Sequence, residues 1–192
     1  FIASHDGIGL RPVETFLTKI EVERFTQLME NNGGKITYRS TNTDVDEPYE
    51  INISLFDAMK ETFSKEKKLF IERYICIHTI MMSLEGVPAF YIHSLFGTEN
   101  DYALYQKTGH NRSLNRGKID YNKMNTEDTN TKESKIYNKL KELLLIRRNQ
   151  PAFHPNALQF TLHLGNELYG IWRQSIDKTQ SIFCVTNITE EI

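Results

Sequence analysis

The stretch from residue 69 to residue 97 constrains the fold more than any other part of the chain. Apolar side chains recur there at helical spacing, at Phe70, Tyr74, Ile77, Met81 and Leu84. Gly86 and Pro88 then supply stop signals, and residues 89–95 form a nearly continuous apolar run. A period of 3.6 residues predicts a buried helix, and an unbroken apolar run of strand length is typical of a parallel strand covered on both faces. The stretch therefore predicts an α/β fold.

Two further helices are predicted, one before this stretch and one after it. Residues 16–31 alternate apolar and charged side chains at helical spacing, and Thr18 with Glu21 forms a potential capping box. Residues 135–149 carry a second apolar face, preceded by Asn130 and Glu133 in the same capping arrangement. The chain thus supplies helices that can cover a sheet.

The remaining elements before residue 150 are a strand and two loops. Residues 1–6 are predicted to form a strand that ends in a turn at Gly7 and Gly9. Residues 31–50 and 98–130 are polar and rich in turn-forming residues, which predicts long exposed loops, the first with a short extended piece at 35–38. Loops of this length in compact domains are often functional.

The pattern changes after Pro155 to short segments of alternating polarity. Two turns, Gly165-Asn166 and Asp177-Lys178, separate three such segments. Period-two alternation with two-residue turns predicts antiparallel strands. We therefore expect two domains, residues 1–153 and residues 154–192.

Charge and composition narrow the class of partner. The chain has 23 basic and 25 acidic residues and a net charge of -2, without the basic patch that nucleic-acid binding requires. It contains no apolar stretch long enough to span a bilayer. Cys76 and Cys184 lie in apolar surroundings, which predicts buried free thiols in the reducing cytoplasm. The histidines lack metal-ligand spacing, so we expect no metal site.

His5 and Asp6 are the first candidates for chemistry. They lie at the carboxyl end of the predicted strand 1–6, where parallel α/β folds collect their functional residues. Gly7 and Gly9 leave room for a ligand hydroxyl to approach the backbone. The alternative is that His5 and Asp6 only hydrogen-bond the turn.

Three blocks in this order, SHDGIGLRP, EGVPAFYIHSLFGTENDY and GHNRSLNR, carry a resemblance to a known family. Together they resemble the end of the catalytic barrel of the α-amylase superfamily, glycoside hydrolase family thirteen. Within it they are most similar to the sucrose phosphorylase subgroup, which includes phosphorylases of sucrose 6'-phosphate, glucosylglycerate and glucosylglycerol. The resemblance extends from Phe1 to about Phe153.

The resemblance implies a fold. Residues 1–6 and 87–95 would be the seventh and eighth strands of a (β/α)₈ barrel, and residues 69–85 and 135–149 the helices that follow them. Residues 154–192 would begin an all-β C-terminal domain. In the family the nucleophilic Asp and the acid/base Glu lie on earlier strands, so the resemblance implies that this chain alone is inactive without the N-terminal part of the barrel.

The resemblance also implies roles for single residues. His5 and Asp6 match the family's His-Asp motif, in which both contact glucosyl hydroxyls and the Asp stabilises the transition state. Arg112 matches an Arg that reaches the bottom of the glucose pocket. The segment DEPYEIN, with Glu47, Tyr49 and Glu50, matches a mobile loop beside the acceptor and phosphate. Position 50 usually carries an amide in the subgroup, and this acid makes fructose a doubtful acceptor.

Arg11 departs from the sucrose phosphorylases, which have apolar residues at this point. A guanidinium there suits a carboxylate or a phosphate on the acceptor, which favours glycerate or a sugar phosphate. The alternative is that Arg11 pairs with Glu14 or a neighbouring acid.

The resemblance therefore implies a retaining α-glucosyl phosphorylase that uses a small sugar substrate and inorganic phosphate, and we expect no cofactor. Two other functions stay open. The first is a hydrolase or transglucosidase of the same superfamily, which phosphate dependence would separate. The second is a non-catalytic binding or assembly module, which would be monodisperse and unfold cooperatively.

Overall fold

The strands in the described parts of the chain lie in two antiparallel sheets of three strands each. The computed structural model describes residues 1–40, 46–65, 68–120 and 130–189. The chain divides into two units, one of residues 1–70 and 90–137 and the other of residues 71–89 and 138–192. Each unit contains one sheet, so the fold combines helices with antiparallel sheets.

The sheet of the first unit has the order β1-β3-β2. Its strands are β1 (Ile8–Gly9), β2 (Lys35–Arg39) and β3 (Glu47–Asn52). Ile51 in β3 pairs with Ile8 on one side and Ile36 on the other, and it is fully buried. One apolar cluster comprises Leu10, Met29, Ile36, Ile51, Ile53 and Ala58. The middle strand β3 is therefore fixed by pairing on both edges and by the core beneath it.

The first helix begins where the sequence predicts a cap. Helix α1 covers Lys19–Asn31. The hydroxyl of Thr18 accepts from the Glu21 amide at 3.3 Å, and the Glu21 carboxylate accepts from the Thr18 amide at 2.7 Å. The Thr18 amide and the Thr18 hydroxyl both donate to the Glu21 carboxylate and lower the pKa of Glu21. The predicted capping box is confirmed, because both halves depend only on residues three apart.

The other helices are α2 (Leu55–Ala58), α3 (Phe70–Ser83), α4 (Ile92–Leu95), α5 (Tyr102–Thr108) and α6 (Lys132–Arg148). Short 3₁₀ turns cover Arg11–Val13, Asn111–Asn115 and Pro151–Phe153. None of the helices in the described parts of the chain combines the length and apolar composition needed to span a bilayer.

The cap predicted for α6 is displaced by one residue. The Ser134 amide donates to the Thr131 hydroxyl at 3.2 Å, and the Lys135 amide donates to the Thr131 carbonyl. The predicted box of Asn130 and Glu133 is therefore wrong, since the first turn is closed by Thr131.

Both predicted parallel strands are wrong in this structure. In residues 1–6 the described pairing is one isolated bridge between Ser4 and Gly7, and residues 92–95 form helix α4. A strand exists only as part of a ladder, and the described chain places no strand beside either segment. The predicted loops 31–50 and 98–130 in turn contain regular structure, including β3 and α5.

The sheet of the second unit agrees with the sequence pattern. Strands β4 (Leu158–His163), β5 (Leu168–Gln174) and β6 (Ser181–Asn187) are antiparallel in that order. Ile171 and Arg173 of β5 lie on its buried face. On the other face Trp172 contacts Phe160 and Phe183, with ring centroids 4.7 and 5.7 Å away.

Cys76 and Cys184 are unpaired and half-buried, and burial raises the pKa of both thiols.

Two buried arginines bind the carbonyl groups at the end of α3. Arg147 donates to the carbonyl of Met82 and, at 2.7 Å, to that of Gly86. Arg173 donates to the carbonyl of Ser83 at 3.2 Å and to three carbonyls of residues 154–158. The last carbonyls of a helix lack partners within it and carry partial negative charge, so two guanidinium groups satisfy them well.

Replacing Arg173 by Met should lower the free energy of unfolding by about 3 kcal/mol, since several buried carbonyls would lose their donor. Urea unfolding followed by the fluorescence of Trp172 measures this. Arg148→Met, at the exposed neighbour of Arg147, is the matched control and should change the unfolding free energy by less than about 0.5 kcal/mol. Equal effects of the two substitutions would contradict this assignment.

Candidate active site

His5 and Asp6 project from a tight turn that residues 4–7 close upon themselves. The Ser4 amide donates to the Gly7 carbonyl at 3.0 Å, and the Gly7 amide donates to the Ser4 carbonyl at 3.1 Å. The Ser4 hydroxyl accepts from the Asp6 amide at 3.1 Å. These local bonds fix the backbone from which both candidate side chains extend.

Gly7 lets this turn lie directly on strand β3. Its φ is 110°, and a Cβ atom there would collide with the main-chain carbonyl of Ile51. A main-chain atom in the middle of a paired strand cannot move aside cheaply. The turn and β3 therefore approach each other as closely as the backbone allows.

A chain of ion pairs links Asp6 to β3 through Arg112. Arg112 Nη1 lies 3.0 Å from Asp6 Oδ1. On its other side, Arg112 donates from Nε to Glu50 Oε1 at 3.0 Å and from Nη2 to Glu50 Oε2 at 2.7 Å. This bidentate arrangement uses the planar fork of the guanidinium fully. Three sequence-predicted site residues thus form one connected group.

Glu50 is the buried end of this group. Its side chain is 4% exposed, against 45% for Arg112 and 37% for Asp6. The Asn52 side-chain amide donates to Glu50 Oε1 and, at 2.8 Å, to the Asp6 carbonyl. The hydrogen bonds to Glu50 raise the pKa of Arg112 further above its ordinary value. The negative charge of Glu50 is therefore matched by a guanidinium and an amide.

Arg116 and Asn115 hold the turn from the opposite side. Arg116 donates from Nε to the His5 carbonyl at 2.7 Å and from Nη2 to Asp6 Oδ1 at 2.8 Å. Asn115 Nδ2 donates to the carbonyls of Ser4 at 3.0 Å and His5 at 3.2 Å. Sequence reasoning missed both residues. The signal available was the repeated Asn-Arg dipeptide at 111–112 and 115–116, which supplies a second amide and a second guanidinium close to Arg112.

His5 lies beside this group, and its side chain is more exposed to solvent. Its Nε2 is 3.4 Å from Asp6 Oδ1, and its side chain is 66% exposed. His5 and the neighbouring carboxylate can therefore reach a ligand in solvent, while the carbonyl of His5 is fixed by two donors, one from Asn115 and one from Arg116.

The other predicted site residues are not in direct contact with Asp6. Glu47 accepts from Arg39 at 3.4 Å, and the same guanidinium lies 3.1 Å from Glu14. Tyr49 acts electrostatically on Arg112, and its carbonyl accepts from the Leu10 amide.

Arg11 is exposed and makes no ion pair within the described residues. The alternative pairing of Arg11 with Glu14 or a neighbouring acid is not observed among the described residues, and the Glu14 carboxylate pairs with Arg39 instead.

The segment matched to a mobile loop is the middle strand of the sheet here. Glu47–Asn52 forms β3 and pairs with β1 and β2. Residues 41–45, which precede it, lie outside the described residues. Glu50 is therefore positioned by the sheet.

The arrangement suits the stabilisation of positive charge on a polar ligand. Asp6 Oδ1 is bound by Arg112 and Arg116, whereas Oδ2 has no hydrogen-bond partner among the described residues. A fixed carboxylate with one open oxygen can accept a ligand hydroxyl or face a developing cation. The parts of the chain that the structure describes contain no group of three metal-ligating side chains.

Replacing Gly7 by Ala should lower the free energy of unfolding by about 2–4 kcal/mol, because the methyl group must displace the Ile51 backbone and the φ angle is unfavourable. Thermal unfolding of the variant measures this. Gly9→Ala is the matched control, since its Cβ atom meets nothing within 4 Å. If Gly9→Ala is as destabilising as Gly7→Ala, the turn does not depend on close approach to β3.

Comparison with curated proteins finds relatives that match nearly the whole chain. Glucosylglycerate phosphorylase of Spirochaeta thermophila is 32% identical over 191 residues, and that of Allomeiothermus silvanus is 36% identical over 193 residues. These alignments cover 98% and 99% of this chain but 32% and 34% of the relatives. Glucosylglycerate phosphorylase of Escherichia coli is 35% identical over 158 residues, covering 81% of this chain and 28% of the relative. The chain thus spans about a third of the length of these relatives.

Comparison with solved structures finds the same fold. Sucrose 6F-phosphate phosphorylase from Thermoanaerobacter thermosaccharolyticum matches with a TM-score of 0.70 over 97% of this chain and 38% of that protein, at 16% identity. No protein-family model matches the chain. The relatives nevertheless confirm the resemblance drawn from the three sequence blocks. The chain is therefore similar over nearly its whole length to about one third of the glucosylglycerate phosphorylases, and it shares the fold of the matching part of the sucrose 6F-phosphate phosphorylase.

Proposed function

We propose that the complete protein is a retaining phosphorylase that transfers an α-glucosyl group between a glucoside and inorganic phosphate. The observation that carries the proposal is the carboxylate of Asp6, held through Oδ1 by two arginines and open at Oδ2 beside His5. It lies in a chain that is homologous over nearly its whole length to glucosylglycerate phosphorylases. In this function the site binds and stabilises the glucosyl group.

Asp6 would stabilise the transition state, and His5 and Arg112 would bind the glucosyl ring. As the glycosidic bond breaks, positive charge develops on the ring, and a fixed anion beside it lowers the barrier. Hydrogen bonds from the ring hydroxyls strengthen as the ring distorts. In the retaining mechanism a carboxylate nucleophile bonds to the anomeric carbon while an acid protonates the departing oxygen, and phosphate then displaces the carboxylate. We assign those two groups to parts of the protein outside this chain.

We propose that residues 1–153 contribute the last part of a (β/α)₈ barrel and that residues 154–192 begin a C-terminal β domain. The structural neighbour supports a shared fold, and β4, β5 and β6 match the predicted antiparallel strands. Residues 1–3 and 87–91 form neither helix nor strand here. In a complete barrel they would acquire ladder partners from the preceding strands.

The acceptor we propose is glycerate. Arg11 is an exposed cation five residues after Asp6 and makes no ion pair within the described residues. Glu47 and Glu50 are bound by Arg39 and Arg112, so their charges oppose an anionic acceptor less than free carboxylates would. With Tyr49, these residues would shape the phosphate and acceptor side of the site.

We propose that the protein uses no cofactor. We also propose a cytoplasmic location, which the unpaired cysteines support.

The proposal is tested with the protein encoded by the complete gene. It is incubated with α-glucose 1-phosphate and, separately, with fructose, fructose 6-phosphate, glycerate or glycerol, and phosphate release is followed. We expect release with glycerate and much slower release with the others. If none of the four acceptors causes phosphate release and the protein liberates glucose from sucrose or maltose, the protein is a hydrolase and the proposal is wrong.

Replacing Arg11 by Ala should raise KM for glycerate by about 10-fold or more, because a charge-assisted contact to the carboxylate is lost. The KM for neutral glycerol in its slow reaction should stay within about 2-fold, since glycerol has no carboxylate to use this contact. Steady-state kinetics with both acceptors measures the ratio. Arg148→Ala, an exposed arginine of the second unit, is the control. An equal loss with glycerate and glycerol would remove Arg11 from acceptor recognition.

A further inference from the structure

We infer that Arg116 is a positioning residue of this site, which fixes the Asp6 carboxylate so that Oδ2 is the oxygen presented to the ligand. The inference rests on the proposed function for its kinetic consequence but on geometry for the assignment itself. Arg116 is outside the set of residues that sequence similarity to the family assigns to substrate.

The first observation is that Arg116 binds both the backbone and the side chain of the same short turn. Its Nε donates to the His5 carbonyl at 2.7 Å, and its Nη2 donates to Asp6 Oδ1 at 2.8 Å. A planar guanidinium holds these two donors at a fixed separation. The Asp6 side chain is therefore locked relative to its own backbone.

The second observation is that both arginines bind the same carboxylate oxygen. Arg112 Nη1 lies 3.0 Å from Asp6 Oδ1, and Arg116 Nη2 lies 2.8 Å from it. Asp6 Oδ2 has no hydrogen-bond partner among the described residues. Two charge-assisted bonds to Oδ1 determine the rotation of the carboxylate and leave Oδ2 for the ligand.

The third observation is that the segment carrying Arg116 is itself anchored. The Tyr91 hydroxyl donates to the Asn115 carbonyl at 2.8 Å. Burial raises the pKa of Tyr91, which keeps this hydroxyl protonated as a donor. Asn115 in turn donates to the carbonyls of Ser4 and His5. The guanidinium of Arg116 therefore starts from a backbone that is tied to the turn it positions.

Arg116 contacts the site through the turn that carries Asp6. Its Nε and one Nη are occupied by the turn, and its side chain is 38% exposed. Arg116 acts through Asp6, so its loss should affect the step in which charge develops and leave ground-state binding largely unchanged. A misplacement of about 1 Å in a group that stabilises a transition state can cost about 100-fold in rate.

The test uses the complete protein with Arg116→Gln, Arg116→Lys and the control Arg148→Gln. For Arg116→Gln we expect kcat to fall by about 30- to 100-fold while the KM values for α-glucose 1-phosphate and acceptor stay within about 3-fold. Arg116→Lys should be intermediate, because one ammonium group can reach Asp6 Oδ1 but does not reproduce the fork to His5. Arg148→Gln should match the unchanged protein in kcat and KM.

A crystal structure of Arg116→Gln provides a readout that does not depend on activity. We expect the Asp6 carboxylate to rotate or to occupy two conformers, with the backbone of residues 4–7 otherwise retained. An unchanged Asp6 rotamer would overturn the assignment even if the protein proved not to be a phosphorylase. With an active enzyme, a raised KM at unchanged kcat, or a kcat within 2-fold of the unchanged protein, would overturn it equally. Absence of phosphate-dependent transfer before any substitution would instead overturn the proposed function alone.

Discussion

The bidentate ion pair between Arg112 and Glu50 is the interaction on which the site depends. Glu50 lies on the middle strand β3 and is nearly inaccessible, so its charge would be costly without a partner. Arg112 meets that cost with two hydrogen bonds and uses its remaining nitrogen to bind Asp6. One guanidinium thus joins three segments that are far apart in sequence: the 4–7 turn, β3 and the 3₁₀ turn that carries Arg112 itself. Removing Arg112 would leave the buried Glu50 carboxylate without its guanidinium partner, and removing either residue would break this link between β3 and Asp6.

What could be predicted from sequence were the elements whose signals are local. The capping box of Thr18 and Glu21 starts α1 as expected, because both hydrogen bonds span three residues. The alternating segments after residue 155 form the sheet β4-β5-β6, because their turns and their period agree. His5, Asp6, Arg112 and Glu50 were also identified as site residues and form one connected group, although only the family resemblance gave their roles.

What could not be predicted depends on contacts between distant residues. The polar segment 46–52 carries the signals of a loop, yet it forms the middle strand because Ile51 fills the core and two strands pair with it. The apolar run 89–95 carries the signals of a strand, yet α4 forms at its end, since no described strand lies beside it. Arg116 was missed for the same reason, because a polar segment does not reveal that its arginine binds a turn over a hundred residues away.

The position of Glu50 also changes how the carboxylate at this position is interpreted, where the family resemblance leads us to expect an amide. A carboxylate presents two equivalent acceptor oxygens, and Arg112 uses both. An amide has one acceptor oxygen, so it could not match the same fork. We interpret the acid as a partner for Arg112. In the proposed function, discrimination between neutral and anionic acceptors would then fall to residues whose charges are not already matched, and Arg11 is the exposed cation nearest in sequence to Asp6 that fits this description.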